Sequence, residues 1–408
     1  MECVHRFEAI YLKEPQAISF CPYRICPIGA HLDHQHGKVT GIAINKGVHM
    51  AYSPKMNGVV ELSSVQFPKR AQWHIGAVPG QKQNDWADCL RGATQALGRR
   101  YPIHIGLSGV IEGSLPIGGL SSSAAVILCF LKALCKVNNL NISANELILV
   151  ALAAENDYVG VACGKLDQSC EVYARKDNLL YLDTQNDSYE LIPTHPDMKP
   201  YKIFVFFSGL EHSLANSGYN TRVDECRCAA YTLKAYAGLE YGNIQQTYLR
   251  DVPYSVYLQH KNKLPDNFVK RLEHYYSEMQ RVEEGVEAWR RGDLDAFGKL
   301  SFESGHSSIY QWETGSDELR TLHEIMARTD GIYGGRFSGG GFKGCCMALV
   351  DPAYEEKVIQ TVSEAYLKEF PMLADKYSVH ICAEYFLFCY DFIGPINDTA
   401  EFFYIGIA

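Results

Sequence analysis

Nowhere does this 408-residue chain approach the run of about 18 uninterrupted apolar residues that a membrane span needs. The opening residues, MECVHRFEAIYLKEPQ, hold no basic segment followed by an apolar stretch, so no secretory signal is expected there. Basic residues are in deficit: 38 Lys and Arg face 47 Asp and Glu, a net charge of −9, so no chain-wide field exists to hold nucleic acid or an anionic membrane. A pocket's local field can still oppose the global one, and an acidic small molecule is not excluded. The 14 cysteines are sparse for this length, and several (Cys129, Cys135, Cys345, Cys346) sit in apolar runs where a free thiol acts as a small hydrophobe. That usage fits a reducing compartment, and the cytoplasm is expected. Tandem repeats and low-complexity tracts are also missing, as is any Gly-Lys-Ser/Thr string of the P-loop kind.

What is present is ordinary globular composition, 47% hydrophobic and 21% charged. The length suits two domains of roughly 200 residues each. Residues 48–52, 201–207 and 347–350 read as strands from their β-branched or apolar runs. Helical spacing marks residues 86–97, 122–137, 144–156 and 224–236, and the long polar stretch 263–290. Strands and helices mix without a strict βαβ rhythm, which predicts an α+β architecture. The polar stretch 186–200, with three prolines, places a boundary that divides the chain into domains 1–187 and 188–408.

Two glycine-rich segments stand out. Residues 113–125 (GSLPIGGLSSSAA) run straight into an apolar helical stretch. Glycines let backbone N–H groups approach a bulky anion, and serines stand at the helix start, where hydroxyls cap free N–H groups and the dipole favours negative charge. A triphosphate is the natural guest, although a plain N-capped helix after a turn reads the same way. Residues 331–344 (GIYGGRFSGGGFKG) precede a strand, marking close backbone approach either to a ligand or within a hairpin turn.

Five segments, in order along the chain, resemble the galactokinase-type GHMP kinases. Residues 24–34 (RICPIGAHLDH) resemble the signature Gly-Arg-Val-Asn-Leu-Ile-Gly-Glu-His-Thr-Asp-Tyr. PIGGLSSSA resembles the phosphate loop, and residues 337–344 resemble the third motif, Thr-Gly-Gly-Gly-Phe-Gly-Gly. Ala154-Glu155 through residues 163–168 (CGKLDQ), and residues 212–222 (HSLANSGYNTR), look specifically galactokinase-like. The resemblance implies a two-domain fold of mixed sheets and helices with the active site in the cleft between domains, and an ATP- and Mg²⁺-dependent sugar 1-kinase. It implies that Gly118, Gly119, Leu120, Ser121, Ser122, Ser123 and Ala124 wrap the ATP phosphates, and that Ser123 and Glu155 hold Mg²⁺ through oxygen. Asp167 would act as base or hydroxyl-orienting group at the anomeric carbon. Arg24 would keep Asp167 ionised, contact substrate and stabilise the transferring phosphoryl group. His31, Asp33, Gly164 and Tyr219 would hydrogen-bond the sugar ring. Trp86 resembles an adenine-side position, though a core tryptophan fits the pattern equally. The cluster of His31, Asp33, His34 and His36 matches no familiar zinc spacing.

The sequence departs from the galactokinase pattern at Ala30, where galactokinases carry a glutamate that accepts a hydrogen bond from the C6 hydroxyl. A C6 carboxylate would meet that glutamate as like charge. At about 4 Å and an effective dielectric near 20 the repulsion is roughly 4 kcal/mol, on the order of a thousandfold in binding. Removing the acid is the logic of a specificity switch. The pattern resembles plant-type galacturonokinases, and the expected reaction is phosphorylation of the C1 hydroxyl of D-galacturonate. Lys165 and Lys343 are candidate partners for the carboxylate. The phosphate loop is one residue shorter than Pro-x-Gly-x-Gly-Leu, which keeps a non-catalytic sugar and nucleotide sensor beside plain galactokinase as alternatives. The expected partners are a sugar acid and ATP, with the chain a monomer or weak oligomer.

Overall fold

The computed structural model describes residues 1–210 and 218–385. Among these, two sheets form the frame. The first takes β1 (Ala17–Ile25), β2 (Lys38–Lys55), β3 (Val59–Ser64), β4 (Ala71–His74), β5 (Gly106–Gly113), β6 (Asn178–Asp183) and β7 (Ser188–Pro193). Their order is β4-β3-β5-β2-β6-β7, with β1 paired to β2; β3 and β5 run parallel and every other pair is antiparallel. The second sheet, antiparallel throughout, is ordered β11-β8-β10-β9 from β8 (Lys202–Phe207), β9 (Ile332–Phe337), β10 (Cys345–Val350) and β11 (Ser378–Cys382).

The long strand β2 organises the first sheet: its start pairs with β6, its middle with β1 and its end with β5. The β1–β2 ladder slips at Pro22/Tyr23. Pro22 brings no N–H to the ladder, and a bulge of this kind re-aims the residues that follow. Those residues are Tyr23 and Arg24, and both turn into the cleft. Behind the sheet lies the helix Ser122–Val137, whose apolar residues are buried around most of its circumference, as expected for a core helix. In the second sheet, β10 is buried along its whole length and β8 nearly so, covered by the helices Leu294–Tyr310, Asp317–Ala327 and Glu355–Glu369. The helix Asp266–Arg290 packs on Tyr219–Tyr236 and Leu294–Tyr310 and also reaches β2, tying the second half to the first sheet. No helix among the described residues is long and apolar enough to cross a membrane.

The division at 187/188 falls inside a hairpin: β7 pairs with β6 from Asp183↔Ser188 to Asn178↔Pro193. The first sheet therefore continues to Pro193, and the second begins at Lys202. β7 is an edge strand with most of its residues exposed, so it tolerates polar residues and a terminal proline and resembles a linker by composition. The helix expected over residues 144–156 is α-helical only over Ala144–Ala153, behind a Ser143/Glu146 capping box. Residues Ala154–Val159 widen into a π-turn.

Candidate active site

Residues from both halves of the chain line one cavity of about 800 Å³. Its floor carries Arg24, Ala30, His31, Asp33, Asp167 and Tyr219, and one wall carries Gly118, Gly119 and the three serines Ser121, Ser122 and Ser123. Leu120 and Ala124 are buried in the core behind that wall, and as a lining neither reaches the cavity.

The phosphate-loop segment bends through positive φ at Gly118 (137°), Gly119 (85°) and Ser121 (59°). Ser121 occupies the N-cap of Ser122–Val137 but makes no side-chain cap bond, and its buried Oγ has no partner. The simple capped helix is thus not what forms. The first-turn N–H groups carry no side-chain cap, at the end where the dipole favours an anion. The second glycine cluster packs against this loop: a Cβ on Gly344 would lie 2.7 Å from the Gly118 carbonyl carbon, and one on Gly339 would lie 3.0 Å from Gly119 Cα. Close approach between the two loops is what their glycines permit.

Arg24, at the end of β1, donates from Nε (2.9 Å) and Nη2 (2.6 Å) to Asp167 Oδ1, and from Nη1 to Ser338 Oγ (3.2 Å). Burial works to lower its pKa, yet the Asp167 carboxylate raises it overall, so the guanidinium stays charged. Asp167 stands in the first turn of the helix Leu166–Tyr173. Asp33 is buried and accepts from the Leu166 N–H at 3.2 Å; burial first, and the charge of Asp167 second, push it up to about 6. Glu155, on the π-turn, accepts from Gln168 Nε2 and Cys163 Sγ and bonds the Ser123 hydroxyl. Burial raises Glu155 to about 7; the Ser123 bond opposes this and Asp167 reinforces it. Ser123 and Glu155 thus form an oxygen pair suited to a hard cation completed by phosphate oxygens. Among the described residues no three His, Cys, Asp or Glu side chains are grouped to hold a metal.

His31 has φ 64° and lies parallel to Trp312 at 4.9 Å between ring centroids; its buried Nε2 has no protein partner. Burial holds it well below its usual pKa, so the ring is neutral. His34 also packs on Trp312, whereas His36 stacks on Tyr248, so the histidines do not converge. Tyr219 is buried in the first turn of Tyr219–Tyr236. Residues 212–217 of the same motif lie outside the described residues.

Two expected sugar contacts have other neighbours in the fold. Gly164 lies behind Asp33, where a Cβ would come within 2.6 Å of Asp33 Oδ2, so it makes room for that carboxylate and does not line the cavity. Lys165 bonds Asp187, not Asp167, and is likewise outside the lining. Lys343 does line it, next to Gly344 and hence on the phosphate-loop side. Trp86 precedes the helix Asp88–Gly98; it is half-buried, lines the cavity parallel to Phe67 at 5.9 Å and packs against the edge of the core. Sequence reasoning missed Gln168 and Ser338, although both lay inside quoted motifs. It also missed His274 and Glu278, one turn apart on a largely polar helix, and Arg336, the single charged residue of an apolar, glycine-rich strand.

Residues 88–175 match the GHMP kinases N terminal domain, residues 286–368 the GHMP kinases C terminal domain, and residues 5–54 the galactokinase galactose-binding signature. The chain is 38% identical over 374 residues to a galacturonokinase of Arabidopsis thaliana, covering 87% of this chain and 88% of that one. It is 32% identical over 359 residues to a galactokinase of Clostridium perfringens, covering 87% and 90%. The crystal structure of Lactococcus lactis galactokinase complexed with galactose superposes with a TM-score of 0.84 at 26% identity, covering 93% of this chain and 97% of that one.

Proposed function

Since the chain belongs to the galactokinase-like GHMP kinases and is a sugar kinase, we propose that it phosphorylates the anomeric C1 hydroxyl of D-galacturonic acid with ATP. The products are galacturonate 1-phosphate and ADP. The observation that carries this reading is the cavity floor at residue 30: a methyl group lines the cavity where a carboxylate would repel a uronate. His31, adjacent in the chain and neutral, offers its unpartnered Nε2 as a donor to the C6 carboxylate.

In this mechanism Asp167 orients the C1 hydroxyl and accepts its proton as the sugar oxygen bonds the γ-phosphorus and the bridging bond to the β-phosphate breaks. Arg24 orients the Asp167 carboxylate through two hydrogen bonds and lends positive charge to the phosphoryl group in transit. Asp33 and Tyr219 bind ring hydroxyls, so that a wrong epimer leaves a buried polar group unpaired. The loop from Gly118 to Ser123 receives the phosphates through backbone N–H groups. Ser123 and Glu155 would hold Mg²⁺, which supplies charge neutralisation on the phosphates.

Plain galactokinase activity is the competing reading, favoured by the galactokinase relatives. ADP release measured with galacturonate, galactose and glucuronate in parallel separates the two. Galacturonate is expected to be the preferred acceptor; a strong preference for galactose sinks the uronate reading and leaves the kinase intact. Binding without turnover of any sugar would indicate a sensor, which the intact Arg24–Asp167 and Ser123–Glu155 pairs argue against. With Ala30→Glu, turnover of galacturonate is expected to fall on the order of a thousandfold. Unchanged turnover would refute the electrostatic basis of the assignment.

A further inference from the structure

The loop that carries Ala30 is held in an uncommon backbone shape. Gly29 has φ 100° and His31 has φ 64°. A non-glycine residue in the left-handed region costs energy and persists only where its surroundings over-determine it. The backbone groups that fix this loop face the second half of the chain. The Gly29 N–H donates to Glu278 Oε1 at 2.7 Å, and His274 Nε2 stands 3.1 Å from the Ala30 carbonyl oxygen.

Both His274 and Glu278 are fully buried, one helical turn apart on Asp266–Arg290. A carbonyl can only accept, so His274 Nε2 carries the proton. Its Nδ1, 2.9 Å from Ser307 Oγ, must then accept from that hydroxyl. Burial lowers His274 to about 4, leaving a neutral ring with this single tautomer. Glu278 is braced in turn. Ser304 Oγ donates to its Oε1, Arg281 Nε donates to its Oε2 at 2.7 Å, and the buried Arg336 donates to Ser304 and Ser308. Burial works to raise Glu278, but the charges of Arg281 and Arg336 and the Ser304 hydrogen bond outweigh it and bring it down to about 2. A charged acceptor thus holds Gly29 and a neutral donor holds Ala30.

We propose that His274 and Glu278 are positioning residues for sugar recognition: they clamp the Gly29–His31 backbone, with Ser307 setting the His274 tautomer. The proposal rests on the sugar-kinase reading, which places Ala30 and His31 against the sugar, and not on which sugar is preferred. None of the clamp residues lines the cavity. They act through the loop that does, on its backbone and, for His274, also through its ring, tilted against His31 at 5.9 Å between centroids.

The test compares His274→Leu, His274→Gln, Ser307→Ala and wild type, using whichever of galacturonate and galactose wild type phosphorylates. Sugar and ATP are varied separately, and sugar binding is also read by calorimetry. Loss of the buried donor in His274→Leu is expected to raise the sugar KM and the calorimetric Kd about tenfold. The ATP KM should stay within about twofold, because the phosphate loop does not depend on this clamp. Glutamine retains an N–H donor and should recover part of the loss. Ser307→Ala removes only the group that selects the tautomer, so it should shift the sugar KM in the same direction with the fold intact. Sugar affinity unchanged in Ser307→Ala and in any folded His274 variant overturns the proposal, as does an equal rise in sugar and ATP KM. Should His274→Leu fail to fold, Ser307→Ala decides. A wild-type protein that binds neither sugar overturns the sugar-kinase reading and this clamp together, whereas normal wild-type binding with unaffected variants overturns the clamp alone.

Discussion

At the residue scale, the side chains that matter earn their roles from their partners, and residue type alone would have misassigned several. Lys165, a candidate counter-charge for the substrate carboxylate, stands two positions before Asp167 in the chain. Helix geometry separates them: Lys165 is the N-cap residue of Leu166–Tyr173 and turns to Asp187. Its pair is partly solvent-exposed and so of small energetic value. Lys165→Met is therefore expected to leave the KM for galacturonate within about twofold of wild type. A large rise would restore the lysine to the sugar pocket. Arg24 and Asp167, by contrast, lie 143 positions apart, and their pairing was legible only because each stood inside a recognised motif. Gln168 stands beside Asp167 in the chain, but nothing in a sequence shows that its amide bonds Glu155.

At the scale of elements, apolar periodicity served well where one face or both were buried. Ser122–Val137 is the stretch the pattern marks, and β8 and β10 follow from their apolar runs. Periodicity failed where an element is exposed or irregular, as with the edge strand β7 and the π-turn that aims Glu155. Glycine spacing likewise revealed two special loops without showing that they interlock. That contact yields a prediction. Gly344 has φ 105°, and a Cβ there would meet Gly118 at 2.7 Å, so Gly344→Ala carries both a backbone penalty and a displacement of the phosphate loop. The penalty is on the order of 1–3 kcal/mol. The ATP KM is expected to rise several-fold with a lowered melting temperature, while calorimetric sugar affinity is preserved. Loss of sugar affinity with ATP affinity intact would contradict the assignment of this wall to phosphate.

At the scale of the whole molecule, two sheets meet over a cleft in which carboxyl groups outnumber cations. Asp33, Glu155 and Asp167 line it beside Arg24, with the buried Glu171 close to Asp167 and Arg24, and the chain as a whole is net negative. Such an arrangement stores instability in the ligand-free protein, and Asp33 offers the cleanest measure of it. Its pKa in the fold, about 6, lies above its ordinary 3.8, because burial and the neighbouring Asp167 disfavour its charged form. Between those values the folded protein binds a proton that the unfolded chain has released. Stability therefore falls as pH rises through the window from 3.8 to about 6, and above it the full cost of the buried charge is present. Asparagine has no such cost and can still accept the Leu166 N–H through its carbonyl oxygen. Ligand-free Asp33→Asn is thus expected to be more stable than wild type at pH 7.5 by an amount on the order of a few kcal/mol. The gap should close as the pH is lowered toward 4, in denaturant melts of the two proteins across that range. The same substitution should weaken sugar binding, because the ring hydroxyls lose a charged acceptor. A wild type as stable as the variant at pH 7.5 would mean that the cleft tolerates its buried charge without cost. Asp33 would then be a structural carboxylate satisfied by the fold, and no longer an acceptor held in readiness for a sugar hydroxyl.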